Sequence, residues 1–257
     1  MHSLAVSLRV DGAVDKQSLD NKHVMAKCIT TNGDEKTVYL GFSESEERGS
    51  KALYRALQTA AAMCGVPWNT LFSLTSSIVT DGASENTGTH HSLWKHLSDE
   101  REGSEVRDLP LLKILCGVHR SQLAFKDMVV NISEVSHIIS DCKGLVNYYN
   151  GSALRMKGIR NAALECRADI MAFPSVKDIR FTEYSYSMLL AVLTNYKSTM
   201  KHLESVMDAE GKGLFEKWLD QDTVHAASVL CDALYVYKRF QKLIQGDQIT
   251  IFDLQQT

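Results

Sequence analysis

Alternation of apolar and polar residues constrains the first part of the chain more than any other feature. Residues 6–10, 24–28 and 38–42 each place apolar side chains at every second position, which is the period of a half-buried β-strand. Between the second and third segments, Asn32 and Gly33 favour the positive φ angles of a tight hairpin turn. We therefore predict a three-stranded antiparallel meander in this part of the chain.

The pattern then changes to one in which helices and strands alternate. Residues 50–65 are rich in alanine and end at a glycine, as a helix does, and residues 88–97 also have a helical pattern. Residues 74–81 and 109–117 have the composition of strands. Strands and helices that alternate after a meander indicate an α/β fold with a mixed sheet.

From about residue 119 the chain has helical periodicity throughout. Three stripes of apolar residues recur at three- and four-residue spacing, as in helices that bury one face. We interpret the acidic segments 43–50 and 98–108 as solvated loops. The stripes are Val135, Ile138, Ile139, Cys142, Leu145 and Tyr149; Leu189, Leu193, Tyr196, Met200, Leu203 and Met207; and Ala227, Leu230, Leu234, Tyr237, Gln241 and Ile244.

Composition excludes several classes of protein. The net charge is −3 and the pI about 6.3, so the chain has no overall basic character that would indicate nucleic-acid binding. No apolar run is long enough to span a membrane. The six cysteines are scattered without a paired motif, which favours free thiols in a reducing compartment and hence the nucleus or cytoplasm rather than secretion.

Two aspartates are candidate ligands of a metal ion. Asp11 and Asp81 each follow a predicted strand and each precede a glycine. If these two strands are parallel neighbours, both carboxylates lie at one edge of the sheet, where α/β proteins bind their ligands. Oxygen ligands suit Mg²⁺ or Mn²⁺, and a metal pair can act on a phosphodiester. The alternative is that both aspartates begin turns, as Asp before Gly commonly does.

A cysteine and a histidine, Cys116 and His119, have a spacing that two metal ligands could use. A structural zinc needs four ligands, and no second pair with suitable spacing occurs. We therefore favour a structural interpretation, in which the cysteine is buried and ends a strand and the histidine packs or caps at the next helix. The chain contains no phosphate-binding loop, dinucleotide fingerprint or nucleophile elbow.

Local charge indicates one candidate surface for nucleic acid. Residues 143–164 contain four basic residues and no acid, and two tyrosines there could stack on bases. Such clusters are more often solvated faces of helices. The basic residues are Lys143, Arg155, Lys157 and Arg160, and the tyrosines are Tyr148 and Tyr149.

Taken in order, several segments resemble the catalytic core of hAT-superfamily transposases and of the host proteins derived from them, some of which carry TTF- or BED-type zinc fingers. The matching segments include "VDGAVDKQ", "TDGASENTG", "CGVHRSQLA" and "YYNGSALRMKGIR". "IRFTEYSYSMLLAVL" resembles the Arg-Trp block of that superfamily, with Arg180 matched and Phe181 in place of tryptophan, and "DALYVYKRFQKLIQGDQITIFDL" is similar to its helical insertion.

This resemblance implies an RNase H-like core over residues 1–132 and a helical region that begins the insertion over residues 133–257. It implies that Asp11 and Asp81 are the first two acids of a metal-binding triad. Cys116 and His119 match a conserved block of the superfamily. The third acid and the C-terminal dimerisation segment of the superfamily follow the insertion, and we find neither up to Thr257.

We therefore expect a non-catalytic nuclear protein, derived from a transposase, that acts by binding protein or nucleic acid. Two alternatives remain open. One is a metal-dependent DNA nuclease or transposase core that a longer isoform or another chain completes, and the other is an interaction scaffold in chromatin or ubiquitin-like-modifier machinery. Because an incomplete core leaves apolar surface exposed, we also expect poor solubility or self-association.

Overall fold

The computed structural model describes residues 3–14, 20–45, 49–175, 181–206 and 208–245. The chain divides into two compact units, Met1–Arg120 and Ser121–Thr257. The first contains β1 (Ser3–Val14), β2 (Asp20–Thr30), β3 (Glu35–Ser45), α1 (Ser50–Met63), α2 (Trp68–Leu74), β4 (Thr75–Thr80), α3 (Ser84–Thr87), α4 (Leu93–Glu102) and β5 (Leu112–Leu115). The next helix, α5 (Gly117–Asn131), begins in the first unit and continues into the second.

The first unit is built on a five-stranded mixed sheet with the order β3-β2-β1-β4-β5. The predicted meander is confirmed, because β1, β2 and β3 pair antiparallel and Gly33 in the second turn has a φ of 84°. β4 and β5 are parallel to β1 and to β4 respectively. One face of the sheet carries Val6 and Leu8, which pack with α1, α2 and α4 in a buried apolar cluster.

Arg101 joins two of these elements from inside the unit. Its side chain is buried, and its Nη2 donates to the carbonyl oxygens of Phe72 at 2.9 Å and Thr75 at 2.6 Å. The guanidinium carbon also lies 4.5 Å from the centre of the Phe72 ring. These carbonyls lie where α2 ends and β4 begins, so Arg101 satisfies acceptors that the end of the helix leaves free.

Element boundaries differ from the sequence prediction in several places. The loop predicted over 43–50 was wrong for 43–45, which belong to β3, and for Ser50, which begins α1. β1 does not end at Asp11 but continues to Val14, because its pairing with β2 extends three residues further. The helix predicted over 88–97 begins at Leu93, where the Ser92 side chain caps it by accepting from the Lys95 backbone N–H.

That helix then runs to Glu102, so residues 98–102 are helical and the prediction of a loop over 98–108 was wrong for them. The strand predicted over 109–117 is reduced to Leu112–Leu115. Pro110 has no N–H for a ladder, and the Leu109 N–H is used in a turn with the Val106 carbonyl.

The second unit is helical, as the periodicity predicted. It contains the rest of α5 and the helices α6 (Ser133–Asn150), α7 (Ala153–Cys166), α8 (Phe181–Thr194), α9 (Tyr196–Ser205), α10 (Ala209–Leu219) and α11 (Gln221–Ile244). The stripe predicted as one helix over 189–207 is interrupted at Asn195, whose side chain accepts from the Met171 N–H and donates to the Met171 carbonyl. The Asn195 N–H still donates to the Ala191 carbonyl and the Asn195 carbonyl still accepts from the Thr199 N–H, so the interruption is confined to one residue. Met207 lies outside the described residues.

Candidate functional site

The two candidate aspartates lie at matching positions on neighbouring strands. β1 and β4 are parallel, with Leu8 paired to Ile78 and Arg9 paired to Val79. Asp11 and Asp81 each lie two residues beyond that last pair, so the register, continued past the end of β4, brings them to the same edge of the sheet. The condition on which the metal hypothesis depended, parallel neighbouring strands, is therefore met by the fold.

Both aspartates line one cleft with a volume of about 180 Å³. Asp11 lies on β1 and is exposed, and Asp81 directly follows β4 and is half-buried. The lining residues are Val10, Asp11, Gly12, Lys22, Leu53, Asp81, Glu85 and Asn86.

Sequence reasoning missed three polar residues of this cleft. Lys22 lies on β2 opposite Gly12 and is only 5% exposed. Glu85 and Asn86 lie on α3, in the first turn after Asp81. Lys22 could have been found only from the β1–β2 register, whereas the proximity of Glu85 and Asn86 to Asp81 along the chain was a signal available from the sequence.

The carboxylate of Asp81 also shapes the turn that follows β4. Its Oδ1 accepts hydrogen bonds from the Ala83 backbone N–H at 2.9 Å and from Nδ2 of Asn86. An aspartate that binds the backbone two residues ahead forms a turn of its own. Oδ1 therefore has the role that the alternative prediction gave to Asp81, that of a residue which begins a turn. Oδ2 accepts no hydrogen bond from the described residues.

Asn86 is held by that contact in one orientation. Its side chain is 6% exposed, and its Nδ2 donates to Asp81. Exchanging the amide oxygen and nitrogen would place two acceptors against each other, so Oδ1 must point away from the carboxylate. This Oδ1 is buried without a hydrogen-bond partner among the described residues, a costly state that favours a donor or a cation nearby.

The chemistry of the cleft fits a weakly held divalent cation. Carboxylate oxygens are the ligands that Mg²⁺ and Mn²⁺ prefer, and Asp11 with Oδ2 of Asp81 supplies two of them. Across the described ranges, no group of three or more His, Cys, Asp and Glu side chains is placed to hold a metal ion. A bound ion would therefore keep much of its water, as Mg²⁺ commonly does.

The Cys116–His119 segment lies at the same edge of the sheet. Thr80 pairs with Leu115, and the N–H of Cys116 donates to the Thr80 carbonyl at 2.8 Å, which extends the ladder by one bond. Cys116 is a free, half-buried thiol, and His119 is half-buried in the first turn of α5. The cysteine thus follows a strand and the histidine lies in the first turn of the next helix, but the cysteine, which we expected to be buried, is half-buried.

The candidate basic residues are found in different environments. Lys143, Lys157 and Arg160 are exposed, the first on α6 and the others one turn apart on α7. Arg155 is engaged inside the unit: its guanidinium lies 3.7 Å from the centre of the Tyr148 ring and bridges Glu210 at 3.2 Å.

The proposed stacking role of the two tyrosines was wrong. Tyr148 is 1% exposed and Tyr149 is fully buried, so neither ring has a face available to a base. Burial raises the pKa of Tyr149, and burial followed by the hydrogen bond to Asp208 raises the pKa of Tyr148 to about 12. Both rings belong to the core of the second unit.

The Arg-Phe block is described only in part. Arg180 lies outside the described residues. Phe181 begins α8, is partly buried, and has its ring centre 5.4 Å from that of Phe125. In this structure Phe181 therefore contributes to the apolar core of the second unit.

Comparison with known protein families adds no assignment, because no family model matches the chain. What the fold and cleft define is a mixed α/β unit with a carboxylate-lined cleft and, after it in the sequence, a helical unit. Within the described residues, no helix combines the length and apolar character that crossing a membrane requires.

Proposed function

We propose that this chain is a transposase-derived protein with an RNase H-like first unit, which acts in the nucleus by binding nucleic acid rather than by cutting it. The strand order and directions support the first part of the proposal. An antiparallel meander is followed by two parallel strands on the far side of β1, which is the sheet that the resemblance to hAT-superfamily transposases leads us to expect.

The observation that carries the proposal is the register of β1 and β4. Its continuation brings Asp11 and Asp81 to one cleft. Asp11, Asp81 and Glu85 give this cleft three carboxylates and Lys22 gives it one ammonium group, so the lining favours a further cation. A divalent cation held there could bridge to a phosphate oxygen of nucleic acid, since Mg²⁺ is commonly bound by one or two carboxylates together with phosphates.

Three features of the cleft favour binding over catalysis. Oδ1 of Asp81 is already used by Ala83 and Asn86. The cationic side chain of Lys22 lines the same cleft and adds a positive charge that disfavours a second metal ion. Two-metal cleavage requires a pair of ions clamped about 4 Å apart, and among the described residues Asp11, Asp81 and Glu85 are not arranged as a group of three that could hold even one ion.

Contacts to phosphate elsewhere would come from α7. Lys157 and Arg160 are exposed one turn apart on the same face of that helix, so both can reach one strand of a nucleic acid. Binding of this kind is electrostatic and independent of sequence. It requires no base contact from the buried tyrosines.

Titration of Mn²⁺ into isotope-labelled protein tests the cation site. We expect paramagnetic broadening of backbone amides centred on residues 11–12 and 81–84, and loss of that broadening in Asp81→Asn. The matched control is Asp34→Asn, which neutralises an exposed aspartate in the β2–β3 turn and should leave the broadening unchanged. Broadening that is scattered over exposed acids and indifferent to Asp81→Asn would contradict the cation site.

A cleavage assay on the same samples separates binding from catalysis. We expect DNA incubated with the protein and Mg²⁺ or Mn²⁺ to remain intact. Turnover that disappears in Asp81→Asn and persists in Asp34→Asn would instead support the alternative, a metal-dependent nuclease core.

A further inference from the structure

The longest helix of the second unit, α11, is apolar on two faces. One face carries Ala227, Leu230 and Leu234, which are buried in the core of the unit. The other carries four large apolar side chains that remain exposed, and we call these four residues the α11 stripe. They are Val229 (56% exposed), Val236 (66%), Phe240 (42%) and Leu243 (47%).

The α11 stripe is narrow. At about 100° per residue, its four members fall within an arc of about 60°, and they extend over about 21 Å of helix. The arc points away from the buried face of α11. Single exposed apolar residues are ordinary on protein surfaces, whereas several large ones aligned on one face of a helix are typical of an interface.

Three members of the α11 stripe are spaced evenly about Val236. Val229 precedes Val236 by seven residues, and Leu243 follows it by seven. A seven-residue repeat is the spacing with which one helix packs along another. If two copies of α11 pack antiparallel about a two-fold axis at Val236, that residue meets its own copy and each Val229 meets Leu243 of the second copy. Such a contact uses the same surface on both chains and closes as a dimer.

The charges beside the stripe select the antiparallel direction. Asp232 and Arg239 are both exposed on the same side of the stripe, four residues before and three residues after Val236. Neither forms an ion pair within the described part of the chain. In the antiparallel arrangement the two-fold axis keeps each residue on the same side of the interface and reverses its order along the helix. Asp232 of each copy therefore lies next to Arg239 of the other. In a parallel arrangement each residue lies at the same height as its own copy, so these two pairs do not form.

We propose that α11 is a self-association surface, on which a second copy of this chain packs antiparallel through Val229, Val236, Phe240 and Leu243. The apolar contact supplies the affinity and the two Asp232–Arg239 pairs fix the direction. This inference uses none of the residues of the cleft and stands or falls independently of the proposed function.

Light scattering coupled to gel filtration, on the full chain over a range of micromolar concentrations, measures the mass of the species. We expect a dimer for the native sequence and a monomer for Val236→Glu, with unchanged helical circular dichroism because Val236 is exposed. The matched control is Leu154→Glu, since Leu154 is 78% exposed on α7 and lies outside the stripe. Leu154→Glu should leave the dimer intact.

Charge reversal tests the direction. Asp232→Arg or Arg239→Asp alone replaces both ion pairs by like-charge contacts, so the dissociation constant should rise by about tenfold. The double variant Asp232→Arg/Arg239→Asp restores both pairs and should return the constant to near its native value. Failure of the double variant to recover the dimer would contradict the antiparallel pairing.

Disulfide trapping gives a second, geometric readout. Facing Cα atoms of two packed helices lie about 5–6 Å apart, within reach of a disulfide. In a Cys64→Ser background, which removes the exposed native thiol, Val236→Cys should cross-link two chains, while Val229→Cys should not. A native protein that is monomeric at every concentration, or a dimer that survives Val236→Glu, would overturn the proposal and indicate that another protein covers the stripe.

Discussion

The contact between Gly158 and His202 makes one substitution unusually informative. Gly158 lies on α7, and a Cβ atom added there would lie 2.1 Å from Nε2 and 2.6 Å from Cδ2 of His202 on α9. These distances are far shorter than van der Waals contact. Gly158→Ala therefore requires the imidazole to move.

Movement of the imidazole is costly because the ring is held from its other side. Its Nδ1 is hydrogen bonded to the Tyr149 hydroxyl at 3.0 Å, and Tyr149 is fully buried. Breaking that bond leaves a buried hydroxyl unsatisfied, which costs about 1–3 kcal/mol. Replacing a helical glycine by alanine stabilises the helix by about 1 kcal/mol, because alanine has the higher helix propensity. We expect a net loss of about 1 kcal/mol in the free energy of unfolding of the second unit.

Gly213 provides a matched control. It lies inside α10, and no atom lies within 4 Å of a Cβ added there. Gly213→Ala should therefore stabilise the unit by up to about 1 kcal/mol. The two substitutions are chemically identical, so the difference between them, about 2 kcal/mol, isolates the contact with His202.

Urea unfolding of the full chain, followed by hydrogen exchange of α7 and α9 amides, confines the readout to the second unit. If Gly158→Ala stabilises these amides as much as Gly213→Ala does, the His202 ring moves without measurable cost. A double-mutant cycle adds a stricter requirement: in a His202→Ala background, Gly158→Ala should become stabilising, because the obstructing ring is gone.

Two further predictions concern His202 and the basic side chains of α7. Burial lowers the pKa of His202 below its ordinary value of 6.5. As the pH falls, the unfolded chain therefore binds a proton at this residue before the folded chain does. The contribution of the neutral imidazole to the free energy of unfolding is complete above pH 6.5 and decreases below it. Denaturation midpoints of the native protein should therefore fall more steeply between neutral and mildly acidic pH than those of His202→Asn, and equal slopes would exclude this role. If α7 contacts phosphates, Lys157→Gln/Arg160→Gln should lower the slope of log affinity for duplex DNA against log salt by about 2, as measured by fluorescence anisotropy. Lys212→Gln, an exposed charge on α10, serves as the control, and an unchanged slope in the double variant would remove α7 from the interface.

The periodic parts of the sequence predicted the fold where local pattern and tertiary structure agree. Alternation and the Asn32-Gly33 turn were sufficient for the meander, because the buried face of β1 and β2 imposes the same period of two. One error falls where a single side chain decides the boundary, because Ser92 sets the start of α4 by capping it. The division of the predicted helix at Asn195 into α8 and α9 has no such signal in the sequence.

The candidate site was predictable only in the part that backbone geometry determines. Asp11 and Asp81 could be placed together because parallel strands bring their carboxyl ends to one edge. Lys22 could not be found this way, since it reaches the cleft through the β1–β2 register. Tyr149 was misassigned as a stacking residue although the apolar stripe that begins at Val135 already included it, whereas Tyr148 lies outside that stripe and its burial had no such signal.

Asp11 and Asp81 lie at matching positions because each is two residues from the last β1–β4 pair, so their proximity depends on the number of residues in each strand. Substitutions at Ser7 or Ser77 leave that count unchanged, and the two carboxylates should stay level through extensive divergence of the strands. Deleting one residue between the paired segment and either aspartate would turn that side chain to the opposite face of the sheet. Among diverging copies of such a gene, the positions of gaps in these two strands should therefore report loss of the cleft earlier than the percentage of identical residues does.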